Sequence, residues 1–216
     1  MTVRVLVADD QELIRVGLAA ILQARPELDV VETAADGAEA VRLVRELRPD
    51  IALMDIRMPG TDGLEATRQV TSDPGQVTRV VMLTTFDDDD LVVDALRAGA
   101  SGFLLKDLPR HRLVESILAV HAGELQLSSA ITRRLVAQRL SRRLDSGRVA
   151  VLGDLSQRET EILALAGRGA TNGEIASTLF ISESTVKTHI GQLYTKLGVR
   201  DRVQLVIFAY DMGIAP

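Results

Sequence analysis

Five times within residues 1–122 a short aliphatic or β-branched run is followed by a helical pattern, and this alternation restricts the fold more than any other feature of the chain. The runs fall at residues 3–8, 28–33, 51–55, 79–83 and 101–105. Most are apolar on both faces, as in a parallel sheet covered on each side by helices. Between and after them lie a helix carrying Leu13, Val16, Ile21 and Leu22 and helices at 38–47, 63–70, 91–98 and 113–120. Strict βα repetition with right-handed crossovers predicts an α/β fold, a doubly wound five-stranded parallel sheet of the flavodoxin-like kind.

In such sheets ligands bind beyond the carboxyl ends of the strands. The third run, Ile51-Ala52-Leu53-Met54-Asp55, is closed by Ile56-Arg57-Met58-Pro59-Gly60, so a buried strand delivers Asp55 to that edge. Asp9 and Asp10 follow the first run, Thr84 the fourth and Lys106 the fifth. Three carboxylates brought together repel one another, and a hard divalent cation relieves the repulsion; Mg²⁺ suits a site with few protein oxygens, water and a phosphate. One carboxylate can then attack phosphorus and form an aspartyl phosphate. Asp55, alone on its strand, is the expected nucleophile, with Asp9 and Asp10 as metal ligands and the Arg57 backbone carbonyl as a further oxygen. Lys106 offers a cation to a phosphoryl oxygen and Thr84 a hydroxyl, although Thr85 follows it and either hydroxyl could turn inward. The run Asp87 to Asp90 reads as a solvated acidic start to the fourth helix.

Composition narrows the setting. The chain has 216 residues, 46% hydrophobic, enough for two modest domains. It has no cysteine, which excludes disulfides and thiolate metal sites. No apolar run approaches the roughly 20 residues that span a bilayer, so a cytoplasmic protein without membrane contact is expected. Residues 1–122 carry 13 Lys and Arg against 21 Asp and Glu, a balance of −8, whereas residues 123–216 carry 12 against 9, or +3. An acidic module joined to a mildly basic one fits a metal- and phosphate-handling part attached to one that meets polyanions.

The second half reads as helices only. Residues 123–153 contain Ile131, Leu135, Leu140 and Leu144 among several arginines and predict a helical linker with a solvated face. From 154 to 216 a small all-α domain is expected. Ser156-Gln157-Arg158-Glu159 and Thr171-Asn172-Gly173-Glu174 are capping boxes that open two helices. After Phe180-Ile181, Ser182 caps a third helix to Leu197, stopped by Gly198, and Asp201 starts a fourth through Tyr210. This is a helix-turn-helix pattern. Val186, Ile190, Leu193 and Leu197 mark the inner face of the third helix. The opposite arc presents Ser184, Lys187, Thr188, Gly191 and Gln192, flanked by Thr185 and His189, and is suited to double-stranded DNA.

Two resemblances join these readings. Residues 1–122 resemble a two-component receiver domain in the Asp9-Asp10 pair, in Met54 to Gly60, in Thr84 and in Gly102-Phe103-Leu104-Leu105-Lys106. That likeness implies phosphate transfer from a histidine kinase to Asp55, Mg²⁺ at Asp9, Asp10 and Asp55, and a switch role for Thr84 and Phe103. Asp107 stands between Lys106 and Leu108-Pro109, where the family commonly has proline directly after the lysine. Residues 155–214 resemble the LuxR-type DNA-binding domain in Leu155 to Glu159, Asn172 to Ala176, Ser182 to His189 and Lys196 to Arg202. The order is that of NarL/FixJ-type response regulators. It implies base reading by Lys187 and Thr188, backbone contact by His189, and a homodimer formed through the last helix. Gly191 stands where the family often has a DNA-reaching side chain, and costs the helix about 1 kcal/mol relative to Ala. The chain is therefore expected to be a phosphorylation-controlled transcription regulator. No enzymatic activity is expected beyond self-phosphorylation from small phosphodonors and autodephosphorylation. Two other readings are a phosphatase that turns over an aspartyl phosphate, and a receiver acting by protein contacts alone.

Overall fold

A computed structural model describes residues 2–73, 75–84, 91–123 and 155–214, which divide between two compact units, Met1–Gln126 and Leu127–Pro216. The acidic run Asp87 to Asp90, Thr85 and, apart from Gly123, the expected linker 123–153 lie outside the described residues. No helix among the described residues is long and apolar enough to cross a membrane.

The first unit follows the alternation. Its strands are β1 (Val3–Ala8), β2 (Leu28–Ala34), β3 (Ile51–Asp55), β4 (Arg79–Thr84) and β5 (Gly102–Leu105); its helices are α1 (Glu12–Gln23), α2 (Gly37–Leu47), α3 (Gly63–Thr71), α4 (Val92–Arg97) and α5 (Arg110–His121). The strands form one sheet in the order β2-β1-β3-β4-β5, every neighbouring pair parallel. Because the order reverses between β1 and β3, the loops leaving these two strands diverge and open a crevice above them. Every residue of β3 is buried, as the all-apolar run requires. On one face Val5, Val7, Ile51, Leu53, Val81, Leu83 and Leu104 pack against Leu18 and Leu22 of α1 and Leu113, Val114, Ile117 and Val120 of α5. Each such fully buried side chain contributes roughly 1.5–3 kcal/mol.

Helix α1 departs from the expected face. Leu18 and Leu22 point inward, with Ile14 and Ile21 beside them, whereas Leu13 is 87% and Val16 58% exposed. The sequence ELIRVGLAAILQ is apolar around most of its circumference, so periodicity does not single out one stripe.

The second unit holds α6 (Gln157–Gly167), α7 (Asn172–Leu179), α8 (Glu183–Leu197) and α9 (Arg202–Asp211). Both capping boxes form, at Ser156 with Glu159 and at Thr171 with Glu174. Phe180 takes a left-handed conformation at the end of α7, φ 55°, an arrangement that costs an L-residue about 1–2 kcal/mol. Arg158 closes that end by donating to the Leu179 carbonyl at 3.0 Å. Helix α9 packs on α6 and buries Arg202, Val203, Leu205, Val206, Phe208, Ala209 and Tyr210, leaving Gln204 and Ile207 only partly exposed. The helix expected to mediate dimerisation makes its main helix contacts with α6 and, to a lesser extent, α8. Arg202 donates to the Asn172 side chain at 2.8 Å and to the Ala170 carbonyl, tying α9 to the start of α7.

Glu159 links the start of α6 to the end of α8. Its carboxylate is 3% exposed and accepts from Lys196 Nζ at 2.7 and 2.9 Å, from the Ser156 N–H at 2.8 Å and from the Ser156 hydroxyl at 2.9 Å. The lysine and then the Ser156 amide hold its pKa down to about 2, against an ordinary 4.5. A carboxylate whose pKa is depressed by folding contributes stability above its unfolded pKa and loses it as pH falls through the folded value. The melting temperature of this unit is expected to fall between pH 4.5 and about 2. Tyrosine fluorescence follows that unit alone, because both tyrosines, Tyr194 and Tyr210, lie in it. Lys196→Met is expected to lower stability at neutral pH by about 1–2 kcal/mol, half of the lysine being solvated, and to flatten the acid dependence.

Candidate functional site

The crevice above β1 and β3 collects the acidic residues. Ala8 pairs in register with Met54, so Asp9 and Asp55 emerge side by side at the strand ends. Ligand oxygens of Asp9, Asp10 and Asp55 all lie within 4.8 Å of one another. Asp9 is fully buried, Asp55 is 5% exposed and Asp10 faces solvent. Lys106, immediately after β5, reaches between the two buried carboxylates, its Nζ 2.8 Å from Asp9 Oδ2 and 2.9 Å from Asp55 Oδ2. The buried Asp9 Oδ2 has this ion contact but no partner with hydrogen-bond geometry, so it keeps acceptor capacity.

The backbone explains why these groups converge. Asp9 is held at three points: its N–H donates to the Ala34 carbonyl at 3.1 Å, its Oδ1 accepts from the Gln11 N–H at 2.9 Å, and its carbonyl accepts from the Arg15 guanidinium at 2.7 Å. Lys106 is set by its own N–H, which donates to the Thr84 carbonyl at 2.8 Å. Thr84 is the last residue of β4 and 2% exposed; Phe103, the second of β5, is 7% exposed and in register with Met82. Arg57 follows Asp55 by two residues with an exposed side chain, and Asp107 is exposed.

Two glycines hold the loop that leaves β3. The Gly63 N–H donates to the Ile56 carbonyl at 2.9 Å, and a Cβ on Gly63 would stand 1.9 Å from the Asp55 carbonyl oxygen. Gly37, at the start of α2, donates to the Thr61 carbonyl at 3.1 Å, and its Cβ would stand 2.2 Å from that oxygen. Sequence reading missed Gly37, Gly63 and Arg15. Asp62-Gly63 is visible as a helix start, since the Asp62 carboxylate accepts from the Glu65 N–H at 2.8 Å, but close backbone approach and the Arg15 contact have no local signal.

Charge at the pocket is unbalanced. Burial raises the Asp55 pKa, and the neighbouring Asp9 and Asp10 charges add to it, more than Lys106 lowers it. Burial alone would lower the Lys106 pKa, but its contacts with Asp9 and Asp55 outweigh that and hold it above its ordinary value. With all three carboxylates ionised and one lysine, the pocket carries two uncompensated negative charges. An oxygen-only donor set with that excess fits a hard divalent cation such as Mg²⁺.

In the second unit α8 presents the expected arc. Ser184, Lys187, Thr188, Gly191 and Gln192 are exposed, Thr185 and His189 are partly buried, and Val186, Ile190 and Leu193 are buried beneath them. Ser182 caps the helix by accepting from the Thr185 N–H at 3.1 Å, and its hydroxyl meets those of Ser184 and Thr185 at 2.8 and 2.7 Å. The Thr188 hydroxyl donates back to the Ser184 carbonyl at 3.0 Å, and Lys187 lies 3.5 Å from Glu183 in an exposed pair. His189 Nδ1 is buried without a partner.

Comparison with known proteins matches both units. Residues 5–118 match the response regulator receiver domain, and residues 154–209 match the bacterial regulatory proteins of the luxR family. The chain is 42% identical over 218 residues to the transcriptional regulatory protein LnrK of Bacillus subtilis (strain 168), covering 99% of each chain. It is 44% identical over 212 residues to the transcriptional regulatory protein LiaR of the same strain, covering 96% of this chain and 97% of that one. Among solved structures, the response regulator ChrA of a heme-sensing two-component system shares 36% identity and a TM-score of 0.53 over 99% of this chain and 98% of that one. Motifs, sheet order and these similarities together show that the chain belongs to the NarL/LiaR-type response regulators, with a receiver domain followed by a LuxR-type DNA-binding domain.

Proposed function

We propose that this response regulator takes a phosphoryl group on Asp55 from a histidine kinase and thereby changes how its second unit engages DNA. The observation that carries the reading is the meeting of Asp9, Asp10, Asp55 and Lys106 at the one point where the sheet order reverses. Asp9, Asp10 and Asp55, with the Arg57 carbonyl, would hold Mg²⁺. When bound, the ion supplies positive charge to the phosphoryl oxygens. In the transfer an Asp55 oxygen forms a bond to phosphorus as the P–N bond of the kinase phosphohistidine breaks. The nitrogen leaves with the bonding pair and takes up a proton. Lys106 then exchanges its Asp55 contact for a phosphoryl oxygen, and the Thr84 hydroxyl reorients toward the same group. Movement of Thr84 is transmitted to buried Phe103 on the neighbouring strand, which makes these two the switch pair.

In the second unit Lys187 and Thr188 read base edges, while Ser184, Thr185, His189 and Gln192 position α8 against the backbone. The boundaries proposed are 1–122 for the receiver, 123–153 for a linker and 154–216 for the DNA-binding domain. Two copies pairing on a roughly two-fold site would gain affinity through linkage. On this reading the protein is cytoplasmic and has no catalytic turnover beyond self-phosphorylation from small phosphodonors and autodephosphorylation.

A small phosphodonor with Mg²⁺ is expected to add one phosphoryl group to the wild type, and none to Asp55→Asn, by intact-protein mass spectrometry. Equal labelling of the variant would remove Asp55 as acceptor. Lys106→Met takes away the main influence that lowers the Asp55 pKa, so the acid limb of the labelling rate is expected to move to higher pH, with the maximal rate down at least about tenfold. For DNA, Lys187→Ala is expected to weaken duplex binding and to relax sequence preference; a salt slope reduced by about 1 with the preference unchanged would move the lysine from a base to a phosphate.

A further inference from the structure

We propose that Gly37, on a different βα unit from the phosphoacceptor, is a positioning residue for the loop that carries the Arg57 carbonyl. The inference rests on the reading of the crevice as the phosphorylation site. The loop leaving β3 is pinned at its near end by Ile56, whose N–H donates to the Leu83 carbonyl at 3.3 Å and whose carbonyl accepts from Gly63. Its far end is pinned by α2, through the Gly37 N–H and the Thr61 carbonyl at 3.1 Å. Between the two pins lie Arg57, Met58, Pro59 and Gly60, and Gly60 turns in the left-handed region at φ 72°.

This far pin exists only because residue 37 lacks a side chain. A Cβ there would stand 2.2 Å from Thr61 O, 3.0 Å from Thr61 C and 3.1 Å from Ala66 Cβ. The first distance is more than about 1 Å inside ordinary contact, and the obstructing atom is backbone, which cannot rotate away. Helix α2 is poorly placed to yield. Asp36 caps it by accepting from the Glu39 N–H at 2.8 Å, Glu39 accepts in return from the Ala35 N–H at 3.0 Å, and Ala40, Val41 and Val44 are buried beneath it. The displacement therefore falls on Thr61, and with it on the four residues that separate Thr61 from Ile56. A shift of that size is large for a divalent ion that demands near-ideal octahedral oxygen geometry. Gly37 touches neither metal nor phosphate and acts through the loop alone.

The test compares full-length Gly37→Ala with Val44→Ala, which removes packing from the same helix without touching Thr61. Calorimetric titration with Mg²⁺ alone is expected to show at least a fivefold weaker dissociation constant for Gly37→Ala, and a change within twofold for Val44→Ala even where its melting temperature falls as far. In metal-free protein the amide resonances of Arg57, Met58 and Gly60 are expected to move in Gly37→Ala and to stay in place in Val44→Ala. Should Gly37→Ala fail to fold, Asp36→Ala loosens the same helix start without adding a Cβ. It is expected to speed exchange of the Gly37 amide and weaken Mg²⁺ binding two- to threefold. Unchanged Mg²⁺ affinity with resonance shifts confined to residues 36–41 would overturn the proposal. A wild type that binds no Mg²⁺ would instead overturn the metal-site reading, and the metal-free resonances would still decide whether Gly37 sets the loop.

Discussion

Among the described residues Lys106 is the one positive charge set between two buried carboxylates, and the receiver unit is arranged around that contact. Without it, Asp9 and Asp55 would face each other with no lysine to offset the burial and neighbouring charge that raise the Asp55 pKa. With it, both can be ionised, yet together with Asp10 they still exceed the lysine by two charges. That excess of negative charge suits the crevice to a divalent ion and, on the proposed reading, to a phosphoryl group held with it. The sheet supplies the convergence: β1, β3 and β5 end on the same edge, and the reversal of strand order opens the space above the first two.

The supports of the pocket are backbone contacts rather than side-chain packing. Asp9 is fixed through its own N–H, its carbonyl and one carboxylate oxygen, Lys106 through a ladder bond to Thr84, and the loop after Asp55 through Gly37 and Gly63. Backbone groups cannot change rotamer, so on the proposed reading a phosphoryl group on Asp55 acts chiefly through two side chains. Lys106 can change partner and Thr84 can reorient its hydroxyl. In the second unit the corresponding rigidity comes from charge: Glu159 with Lys196, and Arg202 with the start of α7, brace the helix pair whose outer arc is polar and unburdened by packing.

The positions of the candidate site residues were legible because their signals are local. A carboxylate closing an apolar run, a lysine closing another and Ser-x-x-Glu at a helix start each state their position in a few residues. The five strands and all nine helices among the described residues were legible for the same reason, with bounds off by at most three residues. What was not legible depends on contacts distant in sequence. Helix α1 is apolar nearly all round, so only the sheet beneath it decides that Leu18 and Leu22 turn inward while Leu13 and Val16 do not. Gly37 looks like any weak helix residue until Thr61 is placed against it. Glu159 is readable as a capping residue, but its lysine lies 37 positions away.

The proposed metal site holds one divalent cation on Asp9, Asp10 and Asp55, with Lys106 beside it as the partner of the phosphoryl group. Its most direct measurement is the stoichiometry of Mg²⁺ binding to the full chain by calorimetry at neutral pH, for the wild type and for Asp9→Asn. One saturable ion per chain in the wild type, weakened at least about tenfold when the Asp9 charge is removed, is the predicted result. Binding that does not saturate, or that is indifferent to Asp9, would contradict it.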